Sequence, residues 1–158
     1  MNKKLLSALL SVLALSPVLY AQASEKPGCT VPSERDVAAL FDRWNSSLQT
    51  GDAKAVAANY SPHAVLLPTL SNMPRQDNEA RIDYFKNFLK KQPSGNIDSR
   101  TIKVGCNVAL DTGTYTFKFS DMSTVQARYT FTYGWVGGEW LITSHHSSAM
   151  PETMASAK

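Results

Sequence analysis

Apolar positions along the chain keep two different periods. Between Glu34 and Leu48 they fall at Val37, Leu40, Phe41, Trp44 and Leu48, the spacing that lines one stripe of a helix. Ser33 precedes that stripe and Asp36 follows three residues later, which is close to a capping box with Ser33 as N-cap. Gly51 closes the helix, and Asp52 caps a short second one, "AKAVAANY", ending near Ser61 and Pro62. "HAVLLPT" reads as a short apolar strand, and "LSNMPRQDN" as turn-rich chain. A third helix is predicted over 78–91, with Ile82, Phe85 and Leu89 buried and Tyr84 and Phe88 flanking them. Pro93 and Gly95 stop it, and Lys86, Lys90 and Lys91 read as a solvated face that suits the helix dipole.

Beyond Gly95 the period becomes two. Ile102, Val104, Cys106, Val108 and Leu110 share one face of a predicted long strand, and "DTG" is read as the turn that ends it. The next strand carries Tyr115, Phe117 and Phe119. "SDMS" then turns into "TVQARYTFTYGW", where Val125, Ala127, Tyr129, Phe131, Tyr133 and Trp135 alternate with polar residues. "VGG" makes the last turn before "EWLITSHHSS". Helices followed by a meander with one apolar face make a single α+β domain, in which the helices cover that face.

Residues 1–23 stand outside this pattern. "MNKK" is a basic start, "LLSALLSVLALSPVLY" an apolar core, and "AQA" a small-residue cleavage site, the features of a secretory signal. That reading divides the chain into a signal peptide (1–23), an N-terminal segment tethered by Cys29 (24–32), the folded domain (33–151) and a disordered tail (152–158). It places the mature protein in the periplasm or outside the cell. The whole chain has 16 basic and 13 acidic residues. The signal removes Lys3 and Lys4, so the remainder is close to neutral, which argues against nucleic acid or a charged membrane surface as partner. Cys29 and Cys106 are the only cysteines. In an oxidising compartment they are expected to form one disulfide that pins the N-terminal segment to the sheet.

The order of elements, with "LFDRWNSSLQTGDAKAVAANYSPHAVLLPTLS", "YFKNFLKKQP" and "GGEWLITSHHSSAMP", resembles the nuclear transport factor 2-like cone fold. Within it, the chain is similar to the association (hub) domain of calcium/calmodulin-dependent protein kinase II, over residues 34–151. The resemblance implies a curved antiparallel sheet with N-terminal helices on its concave face, self-association into dimers or larger assemblies, and a pocket between sheet and helices. The hub lines its pocket with arginines. At roughly matching places this chain has Phe117, Phe131 and Ser147, with only Arg75 and Arg128 nearby.

The candidate chemistry centres on His145 and His146. Adjacent strand residues point to opposite faces, so only one of them can line the pocket, and the alternation does not say which. Either is a candidate general base. His63 is the only other histidine, and with no Cys/His cluster no metal is expected. Around a ligand, the residues expected are Tyr60, Asn72, Arg75, Tyr84, Phe117, Arg128, Phe131, His145 and His146. Arg128 reads more simply as outward-facing, and Arg75 as loop at the mouth. Asp98, Asp111 and Asp121 read as strand-end or turn residues, which weighs against isomerase chemistry built on a buried acid and a tyrosine.

The reading that results is an exported, homo-oligomeric binding or scaffold domain for an unidentified small molecule or peptide. It needs no cofactor, and it contacts neither nucleic acid nor, after signal cleavage, a membrane. The alternative is an isomerase, dehydratase or cyclase using His145 or His146.

Overall fold

The computed structural model describes residues 28–69 and 71–152. The expected signal peptide, residues 24–27 of the tether and residues 153–158 of the tail lie outside the described residues. Helix α1 spans Glu34–Leu48, α2 Ala53–Ala57 and α3 Asn78–Phe88, the last continued by a 3-10 turn at Leu89–Lys91. The strands are β1 Tyr60–Leu67, β2 Ser94–Gly105, β3 Val108–Lys118, β4 Thr124–Val136 and β5 Glu139–Ala149. They form one five-stranded sheet in the order β1-β5-β4-β3-β2. β2 to β5 are antiparallel neighbours, and β1 joins the β5 edge in parallel. Among the described residues, no helix is long and apolar enough to cross a membrane.

The capping box on α1 is complete. Ser33 Oγ accepts from the Asp36 N–H, and the Asp36 carboxylate accepts from the Ser33 N–H. Val37, Phe41, Trp44 and Leu48 are all buried and lie against the concave face, as their spacing predicts. Asn45 holds α1 to the start of β2, accepting from the Gly95 N–H at 2.8 Å and donating to the Gly95 carbonyl at 2.9 Å. The Gly137-Gly138 pair, with φ of 61° and 93°, makes the tight β4–β5 hairpin turn between Val136 and Glu139, where both central residues need positive φ.

The β2–β3 region departs from the expected long strand. Gly105 pairs with Val108, so the turn lies at Cys106 and Asn107 and not at "DTG". Asn107 takes the positive φ of 58°, which asparagine tolerates better than most residues. Cys106 is therefore in a turn and not inside a strand, and Asp111 sits within β3. Gly113 marks a bulge in the facing strand: the register slips between Ile97 and Ser99, and a Cβ on Gly113 would collide with the Ser99 carbonyl. A glycine read as a turn signal is thus a site of close backbone approach.

The Cys29–Cys106 disulfide is present, with the two Cα atoms 5.1 Å apart. Hydrogen bonds reinforce it. Asn107 donates its N–H to the Thr30 carbonyl at 2.8 Å, and its side-chain oxygen accepts from the Thr30 N–H at 2.8 Å. The N-terminal segment is thereby clipped to the tip of the β2–β3 hairpin.

Candidate functional site

Between the concave face and α3 lies a cavity of about 420 Å³. Its walls are mainly apolar, with Leu66 from β1, Phe85 and Phe88 from α3, Phe117 from β3, Ala127 from β4, and Trp44 from α1. β5 supplies the polar part. His145 and Ser147 share the inward face two residues apart, and both are buried.

Ser147 is the centre of a hydroxyl cluster. Tyr115 donates its phenolic hydrogen to Ser147 Oγ at 2.6 Å, and Thr69 Oγ1 bonds the same oxygen. Burial raises the Tyr115 phenol well above its ordinary value, so it stays protonated as a donor. His145 is held on three sides. Tyr60 Oη lies 2.8 Å from Nδ1, the Phe131 ring stacks on the imidazole at 3.9 Å, and Trp44 meets it edge-on at 5.4 Å. Nε2 is buried without a protein partner. Burial, with His146 adding to it, pulls the His145 pKa down to about 3. The ring is therefore neutral at physiological pH, and it is a poor base there.

The mouth carries charge. Arg75 packs over the Tyr84 ring at 5.9 Å and donates to Ser71 Oγ at 3.2 Å, and burial pushes the Tyr84 phenol up to about 12. Lys91 stands over the Phe119 ring at 5.6 Å. Lys91 is exposed, as a solvated lysine is expected to be, and it also lines the cavity, as does Asp83.

The other expected residues are divided between two faces. Arg75, Tyr84, Phe117 and His145 line the cavity. Tyr60 and Phe131 do not; both are buried behind His145. Asn72 is exposed in the loop after β1. Arg128 and His146 lie on the convex face, beside a shallow polar groove with Thr112, Thr130 and Ser148. There Arg128 donates to Ser148 Oγ at 3.2 Å. Strand alternation explains the placement, since the neighbours Ala127, Tyr129 and His145 take the inward positions. Among the described residues, no three His, Cys, Asp or Glu side chains cluster as a metal site.

Asp111 and Arg81 are buried charged residues that were not anticipated. Asp111 is fully buried, accepting from Tyr129 Oη at 2.8 Å and from Arg100 Nε at 3.2 Å. Burial raises its pKa, against the opposing effects of Tyr129 and Arg100. A buried acid–tyrosine pair is thus present on the aromatic face, contrary to the turn reading of Asp111, although Asp111 does not line the cavity. Arg81, also fully buried, donates to the carbonyls of Ala64, Ser61 and Pro62 at 2.6, 3.1 and 3.2 Å. One signal was available for it, because Arg81 stands four residues before Phe85 on the same helix face. For Ser147 the signal was its two-residue spacing from His145. Thr69, in an irregular loop, had none.

The family model of the calcium/calmodulin-dependent protein kinase II association domain matches residues 33–151. The chain belongs to that family. An association-domain protein from Xanthomonas campestris is 49% identical, over 77% of this chain and 91% of its own, with a TM-score of 0.74. More distant structures share the nuclear transport factor 2-like fold with this association domain. A Pseudomonas putida protein of unknown function is 17% identical over 77% of this chain and 89% of its own, TM-score 0.67. A cyanobacterial iota-carbonic anhydrase complexed with bicarbonate is 17% identical over 78% and 95%, TM-score 0.70. No curated protein matches this chain.

Proposed function

We propose that this exported association domain self-associates and holds a small oxyanion, bicarbonate or a short carboxylate, at the inner end of its cavity. The observation that carries this reading is the pairing of Ser147 with His145. Alternate residues on a strand lie roughly 6.7 Å apart. One small oxyanion with a hydrogen bond of about 2.8 Å at each end spans such a gap. The Thr69–Ser147–Tyr115 cluster and the unpartnered His145 Nε2 supply the polar contacts, and Arg75 and Lys91, set against the single carboxylate of Asp83, leave the lining net positive and favour a negative guest. Export is supported by the leader-like residues 1–23 and the Cys29–Cys106 disulfide; self-association is supported by membership of an association-domain family.

A second reading is favoured by the apolar walls that adjoin this hydroxyl cluster. Carbon dioxide is uncharged and suits Leu66, Phe85 and Phe117, while its hydration product suits the hydroxyls. In that reaction a water oxygen bonds to the carbon, a C=O π pair moves onto oxygen, and the proton leaves to solvent. The bicarbonate complex of the cyanobacterial fold relative is in keeping with this reading. With its pKa near 3, His145 would orient the oxyanion and not accept the proton.

Titration calorimetry with sodium bicarbonate and sodium acetate at pH 8 tests the first reading. Single-site binding is expected, weakened at least tenfold in Ser147→Ala and unchanged in His146→Ala; no binding by the wild type overturns it. A stopped-flow pH-indicator assay for CO2 hydration tests the second, which fails if the wild type does not exceed the buffer rate. Light scattering is expected to give a dimer or larger, and a monomer at micromolar concentration would refute self-association.

A further inference from the structure

Tyr60 and His145 form a buried pair that the oxyanion reading uses only at one end. We propose that Tyr60 is a positioning residue that locks His145 in its Nε2–H tautomer, making the inner end of the cavity a fixed hydrogen-bond donor that selects acceptor oxygens and refuses cations. The selectivity rests on the oxyanion reading; the tautomer does not.

Hydrogen-bond accounting sets the direction of the Tyr60–His145 bond. Either Tyr60 donates to Nδ1, or Nδ1–H donates to Tyr60. In the second case the phenolic hydrogen needs another acceptor, and Tyr60 makes no other side-chain hydrogen bond among the described residues. Its surroundings offer none. Phe85 packs on the Tyr60 ring at 5.8 Å, Arg81 sits over the ring at 5.7 Å, and the Trp44 indole N–H lies near the Tyr60 oxygen. Guanidinium and indole nitrogens are donors only. A buried hydroxyl donor without a partner forfeits its bond to water with nothing in exchange. Donation from Tyr60 to Nδ1 avoids that cost and leaves the second proton on Nε2.

Packing then holds the ring in place. With Phe131 stacked at 3.9 Å and Trp44 edge-on at 5.4 Å, the imidazole has no room to exchange its two nitrogens. Nε2–H is therefore fixed, buried and unpaired, on a ring that lines the cavity, and an acceptor atom of a guest is what completes it. Arg81 strengthens the bias. It has no carboxylate within 4.0 Å among the described residues, its partners being carbonyls of β1, and Asp77 offsets its charge only from farther away. A second proton on His145 would place an imidazolium near that charge, with His146 next along the strand. An amine or other cation in the cavity would face both the N–H donor and this field.

Nitrogen NMR of histidine-labelled protein at pH 7 reads the tautomer directly. A pyrrole-type Nε2 and a pyridine-type Nδ1 are expected for His145, whereas the reverse pattern would overturn the assignment. Tyr60→Phe keeps the ring and removes the donor. It is expected to shift His145 toward Nδ1–H and to weaken bicarbonate binding at least tenfold, with the oligomeric state unchanged. An unchanged tautomer in that variant would contradict the positioning role. Should the variant fail to fold, the wild-type spectrum decides alone. If the wild type shows Nε2–H yet binds no bicarbonate, the tautomer stands and the oxyanion reading falls. Methylammonium is expected not to bind; binding of it within tenfold of bicarbonate would refute the selectivity.

Discussion

Acid is expected to unfold this protein through His145, and the effect should be large. The imidazole is neutral in the folded state, with a pKa near 3 against 6.5 for the ordinary group. Between those values the unfolded chain binds a proton that the folded chain refuses. The contribution is therefore fully present above pH 6.5 and is lost as pH falls toward 3. The slope is about 1.4 kcal/mol per pH unit and the total at most about 5 kcal/mol. Asp111 acts with the opposite sign, because burial raises its folded pKa, so a single acid titration mixes the two. The difference between wild type and His145→Phe isolates the histidine, since phenylalanine fills the space between Phe131 and Trp44 without titrating. Urea denaturation from pH 7 to pH 4 should show the wild type losing stability faster than the variant. Parallel curves would show that His145 takes up no proton on unfolding in that range.

Replacing both Cys29 and Cys106 with serine is expected to cost about 4.5 kcal/mol on the chain-entropy model, because the closed loop is long. The two cysteines are 77 residues apart, so most of the effect comes from the freed denatured chain. For a domain of this size that corresponds to a fall in Tm on the order of 15 °C, measured by calorimetry without reductant. Ligand affinity should not change. The disulfide sits at the Cys106–Asn107 turn, whereas the cavity is lined by the opposite end of β3, at Tyr115 and Phe117, and by Phe119 just beyond it. An unchanged Tm would mean that the Asn107 bonds to Gly28 and Thr30 hold the segment without help.

Periodicity made much of this architecture legible. The stripe from Val37 to Leu48 and the alternation from Ala127 to Tyr133 are buried as spaced, and the same rule separates His145 from His146. It faltered where one residue had two meanings. Gly113 in "DTG" reads as a turn but serves a bulge opposite Ser99, and that error carried Asp111 out of the strand and Cys106 into one. Alternation gives the face of a side chain but not its depth. Phe131 and Tyr60 do point inward, yet they back His145 and do not face the open space. Arg81 was hidden by its charge. Only the three β1 carbonyls, supplied by a segment about twenty residues earlier in the chain, make a fully buried guanidinium tolerable.

We propose that the hydroxyl cluster and His145 together hold an oxyanion, and a crystal structure of the protein grown with sodium bicarbonate reads those contacts. A planar three-oxygen guest is expected, bonded at one end to Ser147 Oγ and at the other to His145 Nε2. A cavity holding only water, or bicarbonate bound instead in the convex groove beside Arg128 and His146, would contradict it.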